Sequence, residues 1–487
     1  MSPVSYIPTI GLEVHCQVKT NSKMFCACPT SFGDEPNTNT CPTCLGLPGA
    51  LPVLNAYAIE QTLLAGLMLG CGSPEISKWD RKNYFYPDMP KNYQTSQMDL
   101  PLCLGGGVPL YDHNYPKDHQ KNIARPGKVV KLNRIHLEED VAKSTHQASS
   151  SLIDFNRAGT PLMEIVSEPD IDSAEEAFAY VKTLQQILIH GGISDADMEK
   201  GQLRCDVNIS VRKNPEDPLG ERTELKNLNS FSAIRRAIVY EINRQTEELE
   251  QGIPQIQQTA RWDDDLGESQ PMRTKEDAHD YRYFPCPDLL PIHTAPLLEK
   301  VRPSLPELPH DMAARFVADY KLTAYDASVL TSDRALAAYF EEVAKATKAP
   351  AKKAANWVIN NFLALLKENN TELADSPLTP SAIASLLSLV EAGTVSNNQA
   401  KDLFAELWNQ PEKDPAALAK EMGFEPADNS AIEAFIDEAI ANNPAQVEEI
   451  KGGNEKLINF LTGQVMKLSK GKANPKLVTD EIRKKLL

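Results

Sequence analysis

The chain has 487 residues, more than one hydrophobic core usually organises, with 41% hydrophobic and 24% charged residues and a formal net charge of −17. This composition is ordinary for a soluble globular chain, and with no apolar run of about 18 residues it excludes a membrane-spanning helix. The acidic total argues against a general nucleic-acid coat, although nucleic-acid binding depends on local basic surface rather than on the sum.

The opening Met1-Ser2-Pro3-Val4-Ser5 lacks the charged and apolar regions of a secretory signal, so a cytoplasmic location is expected. Leu12-Glu13-Val14-His15-Cys16-Gln17-Val18-Lys19 alternates as a half-buried strand should. Glu13, His15 and Gln17 then share one face, while Leu12, Val14, Cys16 and Val18 face the core. A carboxylate and an imidazole at i, i+2 can meet one divalent ion or one substrate group; the alternative is a solvated polar face.

The chain holds nine cysteines, and Cys26, Cys28, Cys41 and Cys44 are clustered. Without an export signal, metal ligation is the better reading of such a cluster than a disulfide scaffold. Cys26-x-Cys28 followed by Cys41-Pro42-Thr43-Cys44-Leu45-Gly46 has the form of a closed, structural Zn²⁺ site; four reduced buried thiols are the alternative.

Further on, Asp80-Arg81-Lys82-Asn83-Tyr84-Phe85-Tyr86, with Lys91 and Tyr93, combines basic and aromatic residues that suit phosphates and rings, or else a loop packed on its tyrosines. Arg134-Ile135-His136-Leu137-Glu138-Glu139-Asp140 is an acidic cluster whose oxygen ligands suit Mg²⁺, although spacing does not decide whether Glu138 or Glu139 points inward. A capping signature at Ser173 and Glu176 predicts a helix through Leu188. The strand Leu203–Arg212 presents Arg204, Asp206 and Asn208 together, and a second helix is expected after Ser230. No phosphate-binding loop Gly-x-x-x-x-Gly-Lys-Ser/Thr occurs.

A proline-dense stretch from Pro285 to Pro309 ends this α+β region, and helical patterns follow around 312–320, 335–347 and 354–366. A second break at Pro411 and Pro415 sets off a small helical tail. From Lys451 to Leu487 there are nine Lys or Arg against three Asp or Glu, an excess of +6 that suits an anionic partner or a solvated basic face. Three domains are expected: 1–295 with a zinc-binding insert at 26–44, 296–410, and 411–487.

Several of these segments resemble one family. Gly11-Leu12-Glu13-Val14-His15, Asp80 to Tyr86, Leu137 to Asp140, Gly159-Thr160-Pro161-Leu162, Leu203-Arg204-Cys205-Asp206, Glu224 to Ser230, Asp280 to Pro285 and the tail segments from Gly463 to Lys467 and Ser469 to Pro475 resemble the B subunits of the aspartyl/glutamyl-tRNA amidotransferases (GatB). The resemblance implies a cradle-like catalytic domain of the glutamine synthetase and guanido kinase kind. An all-α helical domain and a small YqeY-like helical tail that engages tRNA would follow. It implies an ATP-dependent carbon–nitrogen ligase with glutamine as amido donor, which phosphorylates the side-chain carboxylate of Glu-tRNA(Gln) or Asp-tRNA(Asn) and amidates the acyl phosphate with ammonia.

Within that family Glu13, His15 and Glu139 match Mg²⁺ positions, and Lys82 and Asp206 match further catalytic positions. Lys467, Lys470, Lys472 and Lys476 are the tail residues expected at tRNA. The sequence holds neither the Gly/Ser-rich signature of amidase-type glutaminases nor a Gly-x-Cys-x-Gly nucleophile turn. Ammonia must therefore come from a partner, which the resemblance supplies as a GatA-type glutaminase, joined with a small GatC-type protein in a heterotrimer. The competing expectation is a zinc-stabilised tRNA-binding scaffold without chemistry of its own.

Overall fold

The alternation read at residues 12–19 belongs to a longer strand in the computed structural model, which describes residues 6–274, 280–424, 429–452, 454, 457–469, 473 and 475–486. This strand is β1 (Ile7–Gln17), the middle of a nine-stranded sheet. The others are β2 (Cys103–Leu104), β3 (Gly107–Pro109), β4 (Val129–Glu139), β5 (Pro161–Ser167), β6 (Leu203–Arg212), β7 (Thr223–Leu228), β8 (Gln258–Asp263) and β9 (Glu268–Thr274). The order is β9-β8-β7-β6-β1-β5-β4-β2, with β3 also on β4. Only β7 and β8 run parallel; the remaining neighbours are antiparallel.

Period-two alternation gives this sheet two different faces. Leu12, Val14, Val207 and Ile209 point to the core face, where they join Leu184, Ile187, Ile234 and Ile238 in one buried cluster. Those partners come from two helices, α2 (Ala174–His190) and α3 (Phe231–Glu250), preceded in the chain by α1 (Ala56–Met68). Ser173 caps α2 by accepting from the Glu176 amide, and Ser230 caps α3 by accepting from the Ala233 amide. The expected reciprocal capping box at Ser173 is only half made, because the Glu176 carboxylate is taken by Arg125. The helices thus seal one face of the sheet, and the polar residues of β1 and β6 stand on the other.

A three-stranded sheet orders Phe284–Pro285, Asp80–Asn83 and Tyr93–Ser96, which carries Lys82 on a strand rather than on a free loop. The chain divides into two compact units, Met1–His310 and Asp311–Leu487. Among the described residues no strand follows His293, and the second unit is helical. It holds one apolar core around Phe340, Phe362 and Leu403 and another around Ile436, Leu461, Val465 and Ile482. The helical pattern over 354–366 is Ala351–Trp357 and Leu363–Glu368 joined by a π-helical turn, Val358–Phe362.

Candidate active site and cysteine centre

Pairing across the sheet turns the alternation of β1 into rows of functional groups. His15 lies opposite Glu164 on β5 and opposite Arg204 on β6, and Glu164 lies opposite His136 on β4. One row therefore reads His136, Glu164, His15, Arg204 across four strands. Glu138, two residues from His136, occupies the same face one step along.

The side chains converge. Glu164 Oε2 is 3.4 Å from His15 Nε2 and 3.3 Å from His136 Nε2, and His136 Nε2 is 3.7 Å from Glu138 Oε2. His15, Glu138 and Glu164 each offer a ligand atom, all within 4.8 Å of one another, a set that could hold a metal ion. Ser96 Oγ donates to Glu138 Oε2 at 3.1 Å and fixes that carboxylate. The charges are mutually dependent. Burial alone would push the Glu138 carboxyl up, but the hydrogen bond from His136 and the charge of Lys82 outweigh it and hold Glu138 below the ordinary carboxylate value. Burial likewise disfavours the His136 imidazolium, yet Glu164 and Glu138 raise it to about 9.

Glu139 points the other way. Adjacent residues of a strand face opposite sides, and Glu139 Oε1 accepts from the Thr95 amide at 2.9 Å and pairs with Lys91. Glu139, expected with Glu13 and His15, thus stands on the opposite face of the sheet, whereas Glu138 and Glu164 stand with His15. Glu13 lies one row along β1, opposite Val166 and Asp206, and its Oε1 accepts from Asn208 Nδ2 at 2.9 Å. Burial and then Glu164 and Glu224 raise its carboxyl above the usual range.

His15, Glu138, Lys82, Arg204 and Asp206 line one cavity of about 550 Å³, with Tyr84 and Tyr281 on its wall. Lys82 Nζ lies 4.9 Å from the centre of the Tyr281 ring. Although burial disfavours its charge, Glu138 and neighbouring groups hold the Lys82 ammonium above its ordinary value. Asp206 is held by Lys226 Nζ at 2.6 Å, and the same ammonium reaches Glu224 at 2.8 Å. Arg204 is fixed by buried Asp140 at 2.9 Å, and Asp140 also accepts from Gln17 Nε2 at 2.9 Å. Glu164, His136, Lys226 and the Asp140 contact lie beyond the sequence-based expectations; the facing of His136 and Glu138 follows from alternation, whereas Glu164 requires the register of β5.

The four clustered cysteines converge as their spacing predicts. The Sγ atoms of Cys26, Cys28, Cys41 and Cys44 lie within 4.8 Å of one another, compatible with the roughly 3.8 Å edge of a tetrahedron built on ~2.3 Å zinc–sulfur bonds. The Cys41 amide donates to Cys44 Sγ at 3.1 Å. Beneath them Lys23 is only 1% exposed, and its Nζ donates to Asn39 O at 2.8 Å, Phe155 O at 3.2 Å and Cys44 Sγ at 3.6 Å. Its three donors are thereby matched, and its charge faces a thiolate. In the tail, Lys467 is exposed at the end of the helix Ile458–Leu468. Lys470 and Lys472 lie outside the described residues, as does the side chain of Lys476.

Two family models match the chain: one described as the GatB/GatE catalytic domain, over residues 8–298, and one described as the GatB domain, over residues 338–486. Among curated proteins, the chain is 48% identical to the B subunit of the aspartyl/glutamyl-tRNA(Asn/Gln) amidotransferase of Persephonella marina, covering 98% of each chain. It is 49% identical to the protein of that name from Opitutus terrae over 99% of each chain. It is 46% identical to that of Thermoanaerobacter pseudethanolicus over 99% of this chain and 100% of the relative.

Asp140→Asn removes the charge that fixes Arg204 and should cost about 2 kcal/mol. A lowered urea midpoint of the purified chain checks this; an unchanged midpoint contradicts it.

Proposed function

The chain belongs to the family of aspartyl/glutamyl-tRNA(Asn/Gln) amidotransferase B subunits, and on that footing we propose that it activates the side-chain carboxylate of Glu-tRNA(Gln) or Asp-tRNA(Asn) with ATP and passes it to ammonia. The observation that carries this reading is the convergence of His15, Glu138 and Glu164, of which His15 and Glu138 line one cavity with Lys82. On this reading the sheet of the first unit is the catalytic cradle, and the three expected domains are the functional divisions of the chain.

A carboxylate resists ammonia because its charge repels nucleophiles and oxide is a poor leaving group. Phosphorylation answers both, and the residues suit that task. His15, Glu138 and Glu164 would hold Mg²⁺, which supplies positive charge to phosphate oxygens when bound. His136 keeps the two carboxylates oriented through its contacts at 3.3 and 3.7 Å. Lys82 and Arg204 offer fixed cations to the incoming phosphate and carboxylate oxygens. Asp206, held by Lys226, stands ready to orient the amine nucleophile or the nucleotide. Ammonia arrives from a GatA-type glutaminase, and a small GatC-type protein completes the heterotrimer.

The cysteine centre is proposed to hold structural Zn²⁺, with four protein ligands closing its coordination. Lys23 then offsets part of the negative charge that four thiolates place around the ion. The tail lysines, with Lys467 foremost among the described residues, are proposed to meet tRNA phosphates.

In the assembled complex, ATP should be converted to ADP only when misacylated tRNA is present. Glu138→Gln should raise the Mg²⁺ concentration needed for half-maximal amidation by about tenfold or more while leaving glutaminase activity intact. Glu139→Gln should leave Mn²⁺ affinity, measured by titration calorimetry, where it was; equal loss of affinity in both variants overturns the ligand set. For the cysteine centre, the reduced chain should carry one zinc, and Lys23→Met should speed its loss to a chelator about tenfold. Metal-free native protein, or release unaltered by the substitution, contradicts this.

A further inference from the structure

The second unit contains a cavity of about 800 Å³, larger than the one at the sheet. It falls in the size range of ligand pockets. Its wall is built by the helix Ala351–Trp357, the π-helical turn Val358–Phe362, the end of the helix Pro380–Glu391 and the start of the helix Asn397–Asn409. Met466 from the tail lines it as well. π-helical turns interrupt the regular hydrogen bonding of a helix and are frequent at functional sites.

The chemistry of this wall is unusual in three respects. Asn356, Asn360, Asn361, Asn397 and Asn398 all line it, and no hydrogen bond among the described residues occupies their carboxamides. Trp357, only 8% exposed, forms part of the same wall, and its buried Nε1 has no acceptor. Buried donors in native proteins are nearly always matched. Finally, the lining lysine is neutralised, because Lys353 Nζ sits 2.6 Å from Glu391 Oε2.

A pocket with a cancelled charge, a set of free carboxamides and an apolar surface including Val390 and Val395 does not select an anion. It selects a neutral planar group whose edge carries both donors and acceptors, the description of a nucleobase: asparagine pairs with such edges through two hydrogen bonds, and apolar side chains cover the ring faces. Lys348, Lys352 and Lys467, each next in sequence to a lining residue, are exposed, and none is in an ion pair among the described residues. Exposed cations on or beside the lining segments and a neutral interior match a nucleotide that enters base first, its phosphates left at the surface.

We propose that this cavity receives an unpaired nucleobase of the RNA substrate, swung out of a loop and read on its hydrogen-bonding edge by Asn360 and Asn397. The inference rests on the tRNA reading above and adds a base-reading site to it, remote in sequence from the residues of the sheet cavity.

The test uses the assembled complex and an unacylated tRNA(Gln) transcript. The variant Asn360→Ala/Asn397→Ala changes two exposed side chains, and Trp357→Phe removes the indole donor while keeping an aromatic ring. Expected are a loss of tRNA affinity of about tenfold in the double variant and a loop base that wild type shields from dimethyl sulfate or carbodiimide but the variant leaves reactive. Trp357→Phe should weaken the same protection. Unchanged affinity and footprint overturn the proposal, as does an affinity loss with no newly reactive base. Binding of AMP alone that the double variant abolishes, with tRNA affinity unaltered, overturns it in favour of a free nucleotide. Failure of the wild-type complex to amidate misacylated tRNA refutes the functional reading instead, so the two failures are told apart.

Discussion

The structure of the first unit turns on one constraint: Glu138 and Glu164 must share a buried sheet face with two imidazoles. Neither carboxylate bears its charge there unaided, since burial raises the free energy of the ionised form. His136 and Lys82 offset Glu138, and His136 and His15 offset Glu164. The arrangement requires β4, β5 and β1 to be adjacent and in one register, because a slip of one residue would send each side chain to the opposite face. The packing of α2 and α3 on the other face fixes that register through Leu12, Val14 and their apolar neighbours. Core packing and site electrostatics are therefore coupled through a single sheet.

The polar face of β1 was legible because alternation is a local property, and the same holds for Arg204, Asp206 and Asn208. Glu164 was not legible, since Pro161-Leu162-Met163-Glu164-Ile165-Val166 reads as an apolar run with one acid, and its value comes from lying opposite His15. Glu138 and Glu139 are neighbours on one strand, and only the pairing of β4 with β5 says which of them meets the imidazoles. Resemblance favoured Glu139; the register favours Glu138. The helix Ala56–Met68 escaped notice because its apolar residues leave little polar stripe to mark a period. Lys23 carries no local signal of burial at all, because its three acceptors come from residues 39, 44 and 155.

The two centres of the first unit use charge in opposite ways. At the sheet, acids and imidazoles leave a cavity lined by cations that suits phosphate and carboxylate oxygens. At the cysteines, four sulfurs gather within 4.8 Å of one another, and a buried ammonium meets one of them, Cys44. Glu139 sits between these worlds, facing the cavity that also touches Cys26 and Cys44 rather than the one that holds His15. On the proposed reading, chemistry belongs to the sheet and stability to the sulfurs.

The central claim is that His15 is a metal ligand alongside Glu138 and Glu164. Its most direct test is electron–nuclear coupling measured on Mn²⁺ bound to the assembled complex with ¹⁵N-labelled histidine. The account predicts coupling to one imidazole nitrogen, abolished by His15→Gln. Absence of histidine coupling in the wild-type complex, or its survival in that variant, would contradict the account.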